Sequence, residues 1–141
     1  HRLTTGERLV ADVDTLGRDW FSATVAEGAV RSARCLVPLA SIASLVLAPG
    51  QVEPSLVPVR DARAEASLSM RLGLPFVLRD LCRRRWALDL VVGATTLHGT
   101  IDRVGRDHLD LAMHEPGSAR RNTAVREVRV VPLAQIVLVS Y

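Results

Sequence analysis

His108, Asp110 and His114 occupy alternating positions in the second half of the chain. That spacing puts imidazole nitrogens and a carboxylate on one face of a strand, where they could share a metal ion. The matching positions of the first half hold Trp20, Ser22 and Ala26, and no fourth ligand stands nearby, so water-facing polar side chains are the expectation and no cofactor is called for. Asp102 and Asp107 could act as paired carboxylates in acid–base work. Asp14 and Asp19 recur at the same places beside Gly17 and Gly105, a pattern that suits turns. Cys35 and Cys82 stand one per half, outside any Cys-x-x-Cys pair, and read as small buried hydrophobes. No serine-nucleophile motif or glycine-rich phosphate loop is present. The chain is therefore not expected to be an enzyme, and no small-molecule substrate is evident.

The remaining chemistry is that of arginine. All 18 basic residues are Arg, and the net charge is +3. Residues 60–85 hold seven Arg against Asp61, Glu65 and Asp80, so the basicity is concentrated between the halves. Arg83, Arg84 and Arg85 end a predicted helix, where cations also offset the helix dipole. Arg120 and Arg121 fall in a polar loop with Gly117 and Ser118, where Glu115 is the nearby acid. Together with Arg126 and Arg129 they could track a nucleic-acid backbone, the alternative being a solvated loop. Trp20, beside a core-facing Phe21, is the aromatic expected to be exposed for base stacking.

The elements that must position these residues are written twice. Val13-Asp14-Thr15-Leu16-Gly17-Arg18-Asp19 returns as Ile101-Asp102-Arg103-Val104-Gly105-Arg106-Asp107, and Val37-Pro38-Leu39-Ala40-Ser41-Ile42 returns as Val131-Pro132-Leu133-Ala134-Gln135-Ile136. Two blocks in one order mark a tandem duplication. In the second copy, residues 87–92, 97–104, 108–114, 125–131 and 135–141 read as five short strands, with Gly93 in a turn and Pro132 breaking the ladder. Leu109, Leu111 and Met113 face a core, as do Phe21, Ala23 and Val25 in the first copy. Ile101, Val131 and Ile136 are expected in the same core as Leu109 and Leu111, and Val13, Val37 and Ile42 beside Phe21. Five strands in about 55 residues is the size of a small closed barrel. Aligning Leu9 with Leu97 puts His1 opposite Asp89. The first copy's missing strand is then expected upstream of His1 or from residues 55–59.

Between the copies, residues 48–54 read as a loop from their Pro and Gly content. Asp61 can cap a helix through about Leu72, and Pro75 can start another that runs to Arg85. Its stripe of Leu68, Leu72, Phe76, Leu78, Leu81 and Cys82 is expected to plug a barrel end, with Arg79 and Arg83 facing water.

At Gly99-Thr100-Ile101-Asp102-Arg103-Val104, followed by Leu109-Asp110-Leu111 and residues 131–139, the second copy resembles the Sm/LSm family, which includes the bacterial Hfq type. The resemblance implies a helix followed by a bent five-stranded barrel, ring-forming oligomers and RNA held at an inner rim. Asp110 and Ser22 stand where that family has a base-contacting Asn, and Pro132-Leu133 and Pro38-Leu39 replace its Arg-Gly pair. The usual uridine pocket is thus not implied.

The expected architecture is mainly β with a helical linker: two tandem five-stranded, Sm-like (SH3-like) small β-barrels. Residues 1–50 form the first, N-terminally incomplete, residues 51–85 the loop and linker, and residues 86–141 the second. The expected function is a non-enzymatic binding module for RNA or other nucleic acid in a regulatory role. The alternative is a protein-interaction or scaffold domain that self-associates through strand edges. With 48% hydrophobic and 23% charged residues, and no apolar run near the roughly 20 residues of a membrane span, no membrane partner and a cytoplasmic location are expected.

Overall fold

Both Gly-Arg-Asp blocks reverse the chain by the same device. The backbone N–H of Gly17 donates to the carbonyl of Trp20, and that of Gly105 to His108, each at 2.7 Å. The indole of Trp20 lies against Gly17 and the imidazole of His108 against Gly105, in space a Cβ would occupy. Room for the ring three residues on, rather than a left-handed backbone, is why glycine stands at both places. Each turn is then tied to a later Pro-Leu-Ala segment, through Leu39 N–H to Asp19 carbonyl (2.9 Å) and Leu133 N–H to Asp107 carbonyl (2.8 Å).

The computed structural model describes residues 2–3, 8–27, 31–56, 68–118, 121 and 123–141. The first copy supplies β1 (Arg2–Leu3), β2 (Ala11–Leu16), β3 (Trp20–Glu27), β4 (Arg31–Pro38) and β5 (Ile42–Ser44). The helices α1 (Pro49–Leu56) and α2 (Leu74–Arg84) follow. The second copy supplies β6 (Ala87–Val92), β7 (Thr95–Val104), β8 (His108–Met113), β9 (Glu127–Pro132) and β10 (Ile136–Ser140). Single 3-10 turns at Leu39–Ser41 and Leu133–Gln135 follow Pro38 and Pro132, which cannot continue the ladder.

Eight strands make one antiparallel sheet in the order β2-β3-β4-β10-β6-β7-β8-β9, and β1 pairs with β5 in a separate ribbon. The eight-stranded sheet is open: its outer strands, β2 and β9, do not pair with each other. The copies join where β10 pairs with β4, with Val139 opposite Leu36 and Ser140 opposite Cys35. The last strand of the second copy thus lies between its own β6 and the first copy's β4, with neither edge open. The first copy's missing strand is β1, since Leu3 pairs with Ile42 as Val92 pairs with Ile136. Ser55 belongs to α1 instead.

The loop expected at residues 48–54 is largely helical. Pro49 opens α1, where its missing N–H costs nothing, and the Gln51 side-chain oxygen accepts the Ala48 N–H at 2.8 Å. Of the helix expected from Asp61, residues 61–67 lie outside the described residues. Before Gly73 a turn closes through Arg71 N–H to Leu68 carbonyl and Leu72 N–H to Ser69 carbonyl. The helix α2 starts as expected, with Pro75 in its first turn and the Asp19 carboxylate accepting the Leu74 N–H at 2.8 Å. It packs on β7 through Leu74, Leu78 and Leu81, spaced one and two turns apart. Phe76 and Leu68, expected on that face, are exposed.

Two apolar clusters form. Leu78, Leu81, Leu88, Leu90, Ile101, Leu109, Leu111, Val131 and Ile136 fill the second copy's core, and Trp20 and Leu36 of the first copy enter it. Phe21, Ala23, Val25, Cys35 and Val37 form the other core with Val137, and Ile42 packs against it. Strands β3 and β4 therefore bury both faces, which is why Trp20 is 5% exposed where the alternation predicts a water-facing ring. Val13, expected in the first core, is exposed.

Candidate functional site

The residues weighed as metal ligands or proton-transfer groups do not converge. His108 Nδ1 pairs with the Asp107 carboxylate at 2.8 Å, while His114 is buried with its Nε2 2.8 Å from the Thr100 hydroxyl. That hydrogen bond from His108 holds the Asp107 carboxyl below its ordinary range. Asp102 pairs with Arg85 at 3.2 Å. Among the described residues no three His, Cys, Asp or Glu side chains come together to hold a metal ion. His98 Nδ1 meets Asp89 at 2.7 Å, and its ring lies edge-on to His114 with centroids 5.4 Å apart.

Several of the arginines singled out from sequence have acid partners. Arg126 pairs with Glu115, and Arg129 with Glu127 at 3.0 Å. Arg84 pairs with Asp80 at 2.9 Å and stacks over Trp86, 5.0 Å from the ring centroid. Arg83 and Arg121 are exposed, and Arg120 lies outside the described residues. Trp20 is no stacking platform: besides being buried, it donates its indole N–H to the Leu72 carbonyl at 2.8 Å. The exposed tryptophan is Trp86, stacked on Tyr141 with centroids 6.0 Å apart.

Among the described residues, four further arginines meet elsewhere, at the junction of the copies. Arg18 and Arg106, at the same place in their two turns, line one cleft of about 480 Å³ with Arg71 and Arg79. The floor is the start of α2, and Phe76 flanks it. Among the described residues none of these four guanidiniums has a carboxylate within ion-pair distance. Arg18 is positioned by its backbone, whose N–H donates to the Leu72 carbonyl at 3.0 Å, and by Gly73. A Cβ at Gly73 would stand 2.6 Å from its guanidinium nitrogen. Arg79 reaches the Gly105 carbonyl at 3.5 Å. A second, mainly apolar hollow of about 270 Å³ adjoins, sharing Arg106 and Pro75; Pro38 and Ala40 from one Pro-Leu-Ala turn and Leu133 and Ala134 from the other wall it, and Asp19 lines it too.

Guanidiniums held together in this way can bind phosphate or another anion through paired N–H donors. The sequence signal for the cleft was the arginine repeated in both Gly-Arg-Asp blocks. Arg71 and Arg79 carry no such mark. Compared with known proteins, the chain matches no family model, no curated protein and no solved structure. No helix among the described residues is long and apolar enough to cross a membrane.

Proposed function

We propose that the chain is a non-enzymatic, cytoplasmic nucleic-acid-binding module, a tandem of two Sm-like small β-barrel units that holds the phosphate backbone of RNA in a regulatory role. The observation that carries this reading is the cleft in which Arg18, Arg71, Arg79 and Arg106 meet without a carboxylate partner. Phosphate contacts of this kind supply most of the sequence-independent affinity for nucleic acid. From the cleft, Arg79 and Arg83 follow α2 one turn apart, extending the positive charge along the helix. The Sm-like part is supported by the strand order β10-β6-β7-β8-β9 following a helix, and by the turn hydrogen bonds repeated in both copies.

The test is fluorescence anisotropy of the full chain with single-stranded RNA bearing hydroxyl ends, titrated across salt. Binding at low salt is expected. Replacing Arg18 and Arg79 together by Ala should lower the slope of log affinity against log salt by up to about 1.4, since each lost contact to a single strand removes about 0.7. Arg120→Ala with Arg121→Ala measures the contribution of the long loop in the same assay. Absence of binding at low salt would overturn this reading in favour of a protein-interaction or scaffold role. One observation favours that second reading: β9 ends the sheet with an open edge, and its Val128 and Val130 are 53% and 66% exposed. Light scattering of the full chain would then show self-association, reduced by Val130→Lys.

A further inference from the structure

The arginine cleft shares Arg106 and Pro75 with a mainly apolar hollow beside it, and this pairing narrows what it can bind. Resting on the nucleic-acid reading above, we propose that the site takes a terminal phosphate monoester, with the nucleoside that bears it lying in the hollow.

Charge is the first reason. Four guanidiniums line the cleft, against one carboxylate in the adjoining hollow, that of Asp19, which accepts the Leu74 N–H. A diester within a strand offers them one negative charge, whereas a terminal phosphate offers about 1.5 to 2 at neutral pH and three acceptor oxygens. Shape is the second. Contact with a backbone alone needs basic groups along a groove and no apolar hollow beside them. Here a cationic lobe of about 480 Å³ meets an apolar lobe of about 270 Å³ at Arg106 and Pro75. Together these solvent-open hollows have the volume of a site for a small organic ligand, with polar groups at one end to orient it. Preorganisation is the third. Arg18 and Arg106 leave two turns closed by the same 2.7 Å hydrogen bond, and Arg18 lies across Gly73 only because that residue has no Cβ. The ligand's source is either the end of a nucleic-acid strand or a free mononucleotide, and the two share this chemistry.

The experiment compares short single-stranded RNAs of one sequence, carrying a 5′-phosphate, a 3′-phosphate or hydroxyl ends, by anisotropy with the full chain. Nucleoside monophosphate and inorganic phosphate serve as competitors. One phosphorylated end should bind about tenfold or more tighter than the hydroxyl RNA, as expected for an extra charge near several guanidiniums. The ratio should fall to near one in Arg18→Ala/Arg106→Ala and in Gly73→Ala, and persist in Arg103→Ala, an exposed arginine outside the cleft. Gly73→Ala meets the flexible end of a side chain rather than backbone, so its melting temperature should match the parent and report a displaced Arg18. Equal affinity for all three RNAs overturns the proposal while leaving backbone binding intact. Mononucleotide binding without RNA binding keeps the pocket and overturns the nucleic-acid reading. Inorganic phosphate competing as well as the mononucleotide overturns the role of the hollow, and no binding by any probe overturns both.

Discussion

Ile101 and Val13 occupy the same position in the two copies, yet Ile101 is 1% exposed and Val13 is 47% exposed. The difference arises around them. In the second copy β6 to β10 form one continuous ladder and α2 covers its core. In the first, among the described residues, β2-β3-β4 and the β1-β5 ribbon are separate, and β2 leaves Val13 and Leu16 exposed. The first copy instead gives Trp20 and Leu36 to the second copy's core. Duplicated sequence has thus produced a complete unit and a supporting one, because burial depends on what stands opposite a strand face and not on the strand alone.

The sharpest way to break this comparison is at the ring three residues after each repeated glycine. Trp20→Ala should cost about 3 to 5 kcal/mol in urea unfolding, since it empties a core site and removes one of the two donors to the Leu72 carbonyl, leaving that of Arg18. His108→Ala at the matching place should stay within about 1 kcal/mol, its pair with exposed Asp107 being a surface interaction. Similar losses at both would mean that the copies are structurally equivalent.

Next in size, Ile101→Ala should cost about 2 to 5 kcal/mol, against about 0.5 kcal/mol or less for Val13→Ala at an exposed site. A large effect at Val13 would show its strand to be covered.

Ser41→Ala should cost about 1 kcal/mol. Its buried hydroxyl lies 2.8 Å from the carbonyls of both Pro38 and Val137, the latter in the other copy. Gln135, its counterpart, is exposed, and Gln135→Ala should be silent in the same melt.

The smallest effect concerns the thiols. Burial pushes the Cys35 pKa up to about 11 from 9.0. In the folded state the neutral thiol is favoured, so its contribution to stability is complete below pH 9 and declines as pH rises from 9 toward 11, where the unfolded chain ionises first. At pH 8 iodoacetamide should modify half-buried Cys82 well before Cys35. Equal rates would mean that β4 opens readily from its neighbours.

The strands of the second copy were legible because polar and apolar residues alternate through β8, and because Gly93, Gly105 and Pro132 punctuate the run. The start of α2 was equally legible from Pro75, and its end from the arginines of its last turn. Those are local preferences of backbone and turn, carried by neighbouring residues, so the amino-acid order alone determines them. The repeat added a second reading of the same turn, down to the glycine on which a ring rests.

What only the tertiary structure decided is which faces are covered and which charges meet. Trp20 alternates as a water-facing residue and is buried because the other copy's core reaches it. The arginine cleft draws Arg18, Arg71, Arg79 and Arg106 from three segments far apart in the chain. No local spacing encodes their meeting, which depends on β10 pairing with β4 and on α2 starting against the Asp19 carboxylate. Sequence periodicity reports what a residue prefers beside its chain neighbours, while burial and charge clustering are set by the partners that packing brings from a distance.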